Sequence, residues 1–107
     1  MIYTPDVWSI VRFKPKGKPA FYKVLGGWHG SYLYGSSWKL NSGVESIDKV
    51  NGFYIVSGYS GSVYKCHEES EGMNHLLLAI LLQLKESLKG THTVKVIPIA
   101  DYKRKKK

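Results

Sequence analysis

The stretch Val7-Trp8-Ser9-Ile10-Val11-Arg12-Phe13-Lys14-Pro15-Lys16-Gly17-Lys18-Pro19-Ala20-Phe21-Tyr22-Lys23-Val24-Leu25 decides the fold. Its two ends are rich in β-branched and aromatic residues, and Val7, Val11 and Phe13 recur at period two on one face, as strands require. Between them, Pro15 and Pro19 fix the backbone and Gly17 supplies the freedom a reversal needs. The pattern predicts strands over residues 7–13 and 20–25 joined as a β-hairpin with a cationic tip.

Working outward, residues 26–43 are rich in Gly, Ser and aromatics, with short strands expected around Ser31-Tyr32-Leu33 and Trp38-Lys39-Leu40, separated by Gly35. Further strands are expected over residues 43–49, 53–57 and 62–67, and Asn51-Gly52 is a strong two-residue hairpin signal. Residues 73–89 change period: Leu76, Leu77, Ile80, Leu81, Leu84 and Leu88 fall on one helical face. Asn74 suits the N-cap, with Ser70 in competition, and Gly90 is a natural stop. Residues 91–99 read as a last strand with Val94 and Val96 on one face and Ile97 and Ile99 on the other; Pro98 puts its end at an edge. The expected fold is α+β: a small antiparallel, strongly bent sheet or open barrel, with one helix packed on it before the last strand. Residues 1–102 form a single compact domain in this reading, and residues 103–107 a basic flexible tail.

A chain of 107 residues fits one core. Its 43% hydrophobic and 13% aromatic content argues for packing through most of the length. Cys66 is the only cysteine, which excludes an internal disulfide and fits a reducing compartment. One Cys and four scattered His lack paired ligand spacing, so no metal site and no cofactor is expected. Residues 76–82 form the longest apolar run, far short of the roughly 20 residues that cross a bilayer. The N-terminus lacks a secretory pattern. These features predict a protein of the cytoplasm.

Net charge is +8, of which Lys103-Arg104-Lys105-Lys106-Lys107 supplies five. Within the body, residues 7–44 hold Arg12, Lys14, Lys16, Lys18, Lys23 and Lys39 with no acid, whereas residues 45–90 hold six acids against four lysines. The asymmetry predicts one positive surface that attracts phosphate.

A short internal echo suggests where a ligand binds. Gly27-Trp28-His29-Gly30-Ser31 and Gly58-Tyr59-Ser60-Gly61-Ser62 share the order Gly-aromatic-x-Gly-Ser. As two loops they would offer close backbone approach, stacking faces and hydroxyls to a nucleobase and phosphate; alternatively both are plain hairpin turns. Between them, Trp38, Lys39, Asn41 and Ser42 add an indole, a cation and polar groups. Cys66-His67 resembles a nucleophilic pair, but strand neighbours point to opposite faces. Cys66 is therefore expected as a buried hydrophobe and His67 as a surface or ligand-facing group. Glu68, Glu69 and Glu71 are expected at the helix's approach, where negative charge suits the dipole. No phosphate-loop or metal-hydrolase pattern is present, so no catalytic residue is assigned.

At Leu25-Gly26-Gly27-Trp28-His29-Gly30, at Ser37-Trp38-Lys39-Leu40-Asn41-Ser42-Gly43 and over residues 58–67, the chain resembles a family of small, uncharacterised proteins of tailed bacteriophages. The likeness runs from about residue 3 to the helix. It implies a protein acting in the cytoplasm of an infected bacterium, in host takeover or anti-defence, and carries no activity, cofactor or catalytic residue with it.

The functional expectation is a non-enzymatic binding protein that captures a phosphorylated small molecule, a nucleotide signal of host defence, by stoichiometric capture. Trp28, Trp38 or Tyr59 would stack the base, Asn41, Ser42, Ser60, Ser62 and His67 would bond it, and Lys39 or Arg12 would neutralise phosphate. One alternative is a nucleic-acid-binding protein using the cationic hairpin and tail; another is a direct protein inhibitor of a host factor. Leu78 and Leu82 fall outside the helix's buried arc, which predicts a homodimer through them.

Overall fold

The computed structural model describes residues 1–31 and 35–105. The strands are β1 (Ile2–Tyr3), β2 (Val7–Pro15), β3 (Phe21–Ser31), β4 (Gly35–Leu40), β5 (Val44–Val50), β6 (Phe53–Gly58), β7 (Val63–His67) and β8 (His92–Ile97). Helix α1 (His75–Ser87) precedes β8, and α2 (Ile99–Lys105) follows it. The strands form two four-stranded sheets. A hairpin sheet has the order β4-β3-β2-β8, and a meander sheet the order β1-β7-β6-β5.

The fold is thus α+β, with its main helix before the last strand as expected, but the strands divide into two sheets that do not close into a barrel. The division falls at residues 41–43, where the chain leaves β4 at one sheet's edge and starts β5 at the edge of the other.

The β2–β3 hairpin forms as the sequence predicts, with Phe13 opposite Phe21 and Ile10 opposite Val24. Strand β2 is central and apolar on both faces, because alternate residues point to opposite sides. Trp8 and Ile10 join Val24, Val44, Val56, Tyr64 and Cys66 in a core between the sheets. Val11 and Phe13 join Leu25, Val94, Leu77, Ile80 and Leu81 in a second core beneath α1. Three layers result: meander sheet, hairpin sheet, helix.

Local chemistry explains several joints. Asn51 and Gly52 take positive φ of 50° and 83°, the geometry of a tight turn between β5 and β6. Asn74 caps α1, its Oδ1 accepting from the Leu77 N–H at 2.8 Å.

Several expectations differ from the structure. Gly27-Trp28-His29-Gly30-Ser31 is not a loop but the second half of β3, and Gly35 opens β4 rather than separating two strands. At Gly27 the reason is close packing: a Cβ there would lie 3.1 Å from Leu77 Cδ2, so the absent side chain lets α1 seat on the sheet. Of the strand expected around Ser31-Tyr32-Leu33, Tyr32 and Leu33 lie outside the described residues. Ile99 belongs to a helix rather than to the last strand, because Pro98 ends the ladder. Helix α2 runs on through residues 103–105, which the sequence assigns to the tail; Lys106 and Lys107 lie outside the described residues.

The sheets also contain one parallel pair, β1 with β7, where only antiparallel pairing is expected. Among the described residues, no helix is long and apolar enough to cross a membrane.

Candidate functional site

The residues proposed from sequence as a binding site do not converge. Trp28 and Lys39 point towards the meander sheet, and Trp38 points to the opposite, α1-bearing face, because adjacent residues on β4 alternate. Trp28 packs edge-on against Tyr3, with ring centres 6.2 Å apart. Lys39 Nζ sits 5.1 Å from the centre of that same Tyr3 ring. Trp38, opposite Gly27 on the edge strand, is 42% exposed.

Two groups do meet. The turn after β6 packs on residues 41–43: the Ser60 N–H donates to Ser42 Oγ at 3.0 Å, and the Tyr59 N–H to the Gly43 carbonyl at 3.1 Å. The Ser62 carbonyl closes the turn by accepting from the Gly58 N–H at 2.9 Å. Asn41 is buried beneath this contact, and its Oδ1 accepts from the Val24 N–H at 2.9 Å while its own N–H donates to the Val24 carbonyl at 3.1 Å. Asn41 thus continues the β3–β4 ladder with its side chain, a structural role. Tyr59 is 70% exposed above it.

His67 also has a structural place. Its Nδ1 accepts from the Glu69 N–H at 3.1 Å, its carbonyl accepts from Trp8 Nε1 at 2.8 Å, and its ring lies edge-on to Phe53. Cys66, on the other face, is fully buried, and burial pushes its thiol up to about 12, which leaves no thiolate for nucleophilic work near neutral pH.

Glu68, Glu69 and Glu71 precede α1 as expected, but Glu68 and Glu71 are engaged with other elements. Glu68 pairs with Lys49 at 2.9 Å, and the bond holds the carboxyl below its ordinary range and the ammonium above its own. Glu71 Oε2 accepts from the Ile99 N–H, so it caps α2. The first turn of α1 carries no acid.

What the fold does assemble is the cationic end of the hairpin sheet. Because β8 pairs antiparallel with β2, His92 stands opposite Pro15, and the Lys16 N–H donates to the Thr91 carbonyl at 3.1 Å. The hairpin tip is thereby tied to the start of β8. Between them runs an open groove of about 640 Å³ whose walls include Lys16, Lys18, Phe21, Thr91 and His92, and no acid lines it. Phe21 stacks parallel on Phe13, with ring centres 5.1 Å apart, and meets His92 edge-on. Lys23 Nζ lies 6.0 Å from the Phe21 ring centre.

Arg12 lies further along β2, half-buried, opposite Tyr22 and Lys95, and its Nε has no hydrogen-bond partner among the described residues. Tyr22 packs edge-on against Tyr102 of α2 at 5.0 Å. Burial, then the nearby Tyr59 and Tyr22, raise the Tyr102 phenol.

Sequence reading missed Phe21, Thr91 and His92. The signal that bore on them was the Lys-Pro-Lys-Gly-Lys-Pro tip flanked by an aromatic; the pairing that brings His92 beside it is non-local. No group of three metal-ligating side chains comes together among the described residues.

Set against family models, curated proteins and solved structures, the chain matches none.

Proposed function

We propose that this chain is a non-enzymatic nucleic-acid-binding protein that holds phosphate at the cationic end of its hairpin sheet. The observation carrying this reading is the groove between the hairpin tip and β8, where Lys16, Lys18, Phe21 and His92 share one lining with no acid among its residues. Cations beside exposed rings are what a phosphate-linked chain of bases requires. Lys23 stands on the same face of the hairpin sheet as Phe21 and His92, and the basic residues of the C-terminal segment would add to the positive field. The resemblance to phage proteins adds a setting, the cytoplasm of an infected bacterium, and a purpose in host takeover.

A second reading, capture of a single nucleotide, draws support from the groove's size, which falls within the roughly 300–1,000 Å³ of small-molecule sites. The two separate in one comparison. A labelled oligonucleotide titrated at low salt, followed by anisotropy, reports nucleic-acid binding; thermal shift with mononucleotides reports capture. Oligonucleotide binding that mononucleotides at millimolar concentration fail to displace supports the first reading. A mononucleotide shift without oligonucleotide binding replaces it with the second. Neither response favours the third, inhibition of a host protein.

The proposal includes a homodimer. Leu78 and Leu82 stand on the outward side of α1, 47% and 56% exposed. Two large apolar side chains one turn apart suit a two-fold contact that would place two cationic ends on one particle.

A further inference from the structure

We infer that the groove selects single-stranded over duplex nucleic acid, by seating one unpaired base against Phe21 and His92 while Lys16 and Lys18 take the flanking phosphates. The inference rests on the reading of the cationic end as a nucleic-acid surface and adds which form of nucleic acid it prefers.

The first support is preorganisation. Phe21 is 38% exposed, yet it is braced: it lies parallel to Phe13, with an interplanar angle of 2°, and His92 abuts it at 85°. A base meeting a ring already held in place costs little ordering on binding. Pro15 and Pro19 add rigid walls to the same groove.

The second support is the anchoring of His92. Thr91 Oγ1 donates its single proton to the Leu88 carbonyl at 3.0 Å and lies 2.9 Å from His92 Nδ1. The contact holds the imidazole in place at the groove, edge-on to Phe21. In a duplex the base faces are stacked on their neighbours, so no base can cover Phe21 without extruding a nucleotide.

The third support is charge. Lys16 and Lys18 flank Gly17 at the tip and line the groove, where phosphates on either side of a seated base would pass. They attract any nucleic acid; the rings supply the preference.

The test uses the full chain with a fluorescein-labelled single strand about 12 nucleotides long and its annealed duplex, in the same buffer. Tighter binding of the single strand is expected. Phe21→Ala should weaken it by about tenfold, within the range that loss of one stacked base produces, and leave duplex binding unchanged. Phe21→Trp should restore the preference, which separates stacking from a folding defect. Equal binding of the two forms, or an equal loss on both in Phe21→Ala with no recovery in Phe21→Trp, overturns the inference and leaves the cationic surface standing. Failure of the wild type to bind either form at low salt overturns both.

Discussion

Glu71 and Ile99 are joined across 28 residues of sequence by a 2.8 Å hydrogen bond, from the Ile99 backbone N–H to Glu71 Oε2. The bond satisfies an otherwise orphaned donor at the start of α2 and sets negative charge at the helix's positive end. Glu71 is itself held by a bridge to Trp8, beside which the Gly72 N–H donates to the Trp8 carbonyl at 2.7 Å. The central strand, the turn before α1 and α2 thus form one joint.

Glu71→Ala should therefore loosen α2 without unfolding the sheets. A lost helix cap costs about 0.5–2 kcal/mol. Limited trypsin digestion should cut within residues 103–105 faster than in the wild type, and Glu71→Gln, which keeps an acceptor oxygen, should fall between. An unchanged cleavage rate would show that α2 does not depend on the joint.

Asn41 and Trp38 should part company on substitution. Asn41→Ala leaves the buried Val24 N–H without its acceptor, a loss of about 1–3 kcal/mol read as a lower melting temperature. Trp38→Ala, at an exposed edge, should shift the melt far less and leave oligonucleotide binding unchanged. A binding loss in Trp38→Ala at unchanged melting temperature would return the site to the loops.

How much of this was legible beforehand follows the range of each contact. The β2–β3 hairpin, the Asn51-Gly52 turn and the Asn74 cap are written in neighbouring residues, and the structure holds them where the sequence predicts. The split into two sheets, the parallel β1–β7 pair, the Glu71 cap on α2 and the His92–Pro15 pairing join residues far apart, which no local pattern specifies. The same division runs through the site. Lys16 and Lys18 stand out in the sequence as cations, whereas the groove needs β8 beside the tip. Trp28 and Trp38 look like partners in a glycine-rich stretch, and strand alternation puts them on opposite faces.

The Cys66 thiol should be inert in the native protein. Its folded value is raised by burial, so it stabilises the fold at neutral pH, and that contribution is lost as pH rises from about 9, where an unfolded thiol ionises, through about 12. Tyr64 and Tyr102, raised by burial, act in the same direction. A disulfide reagent at pH 8 should react only on adding denaturant, and the melting temperature should fall above pH 9. Rapid reaction of the native protein would contradict the burial of Cys66.

Leu78→Glu/Leu82→Glu should convert a dimer to a monomer in sedimentation. Burying each leucine contributes about 1.5–3 kcal/mol before association costs, so the loss should be complete at tens of micromolar. A wild type that is monomeric at that concentration removes the dimer.

The salt dependence of oligonucleotide binding tests the cationic end most directly. For a single strand, the logarithm of the association constant falls with the logarithm of salt by about 0.7 for each phosphate neutralised. Lys16→Ala/Lys18→Ala should therefore flatten the slope by about 1.4, deletion of residues 103–107 should flatten it further, and Lys65→Ala, on β7 of the meander sheet, should leave it unchanged. A wild-type slope near zero, or equal slopes for the wild type and Lys16→Ala/Lys18→Ala, would contradict phosphate binding at this end of the molecule.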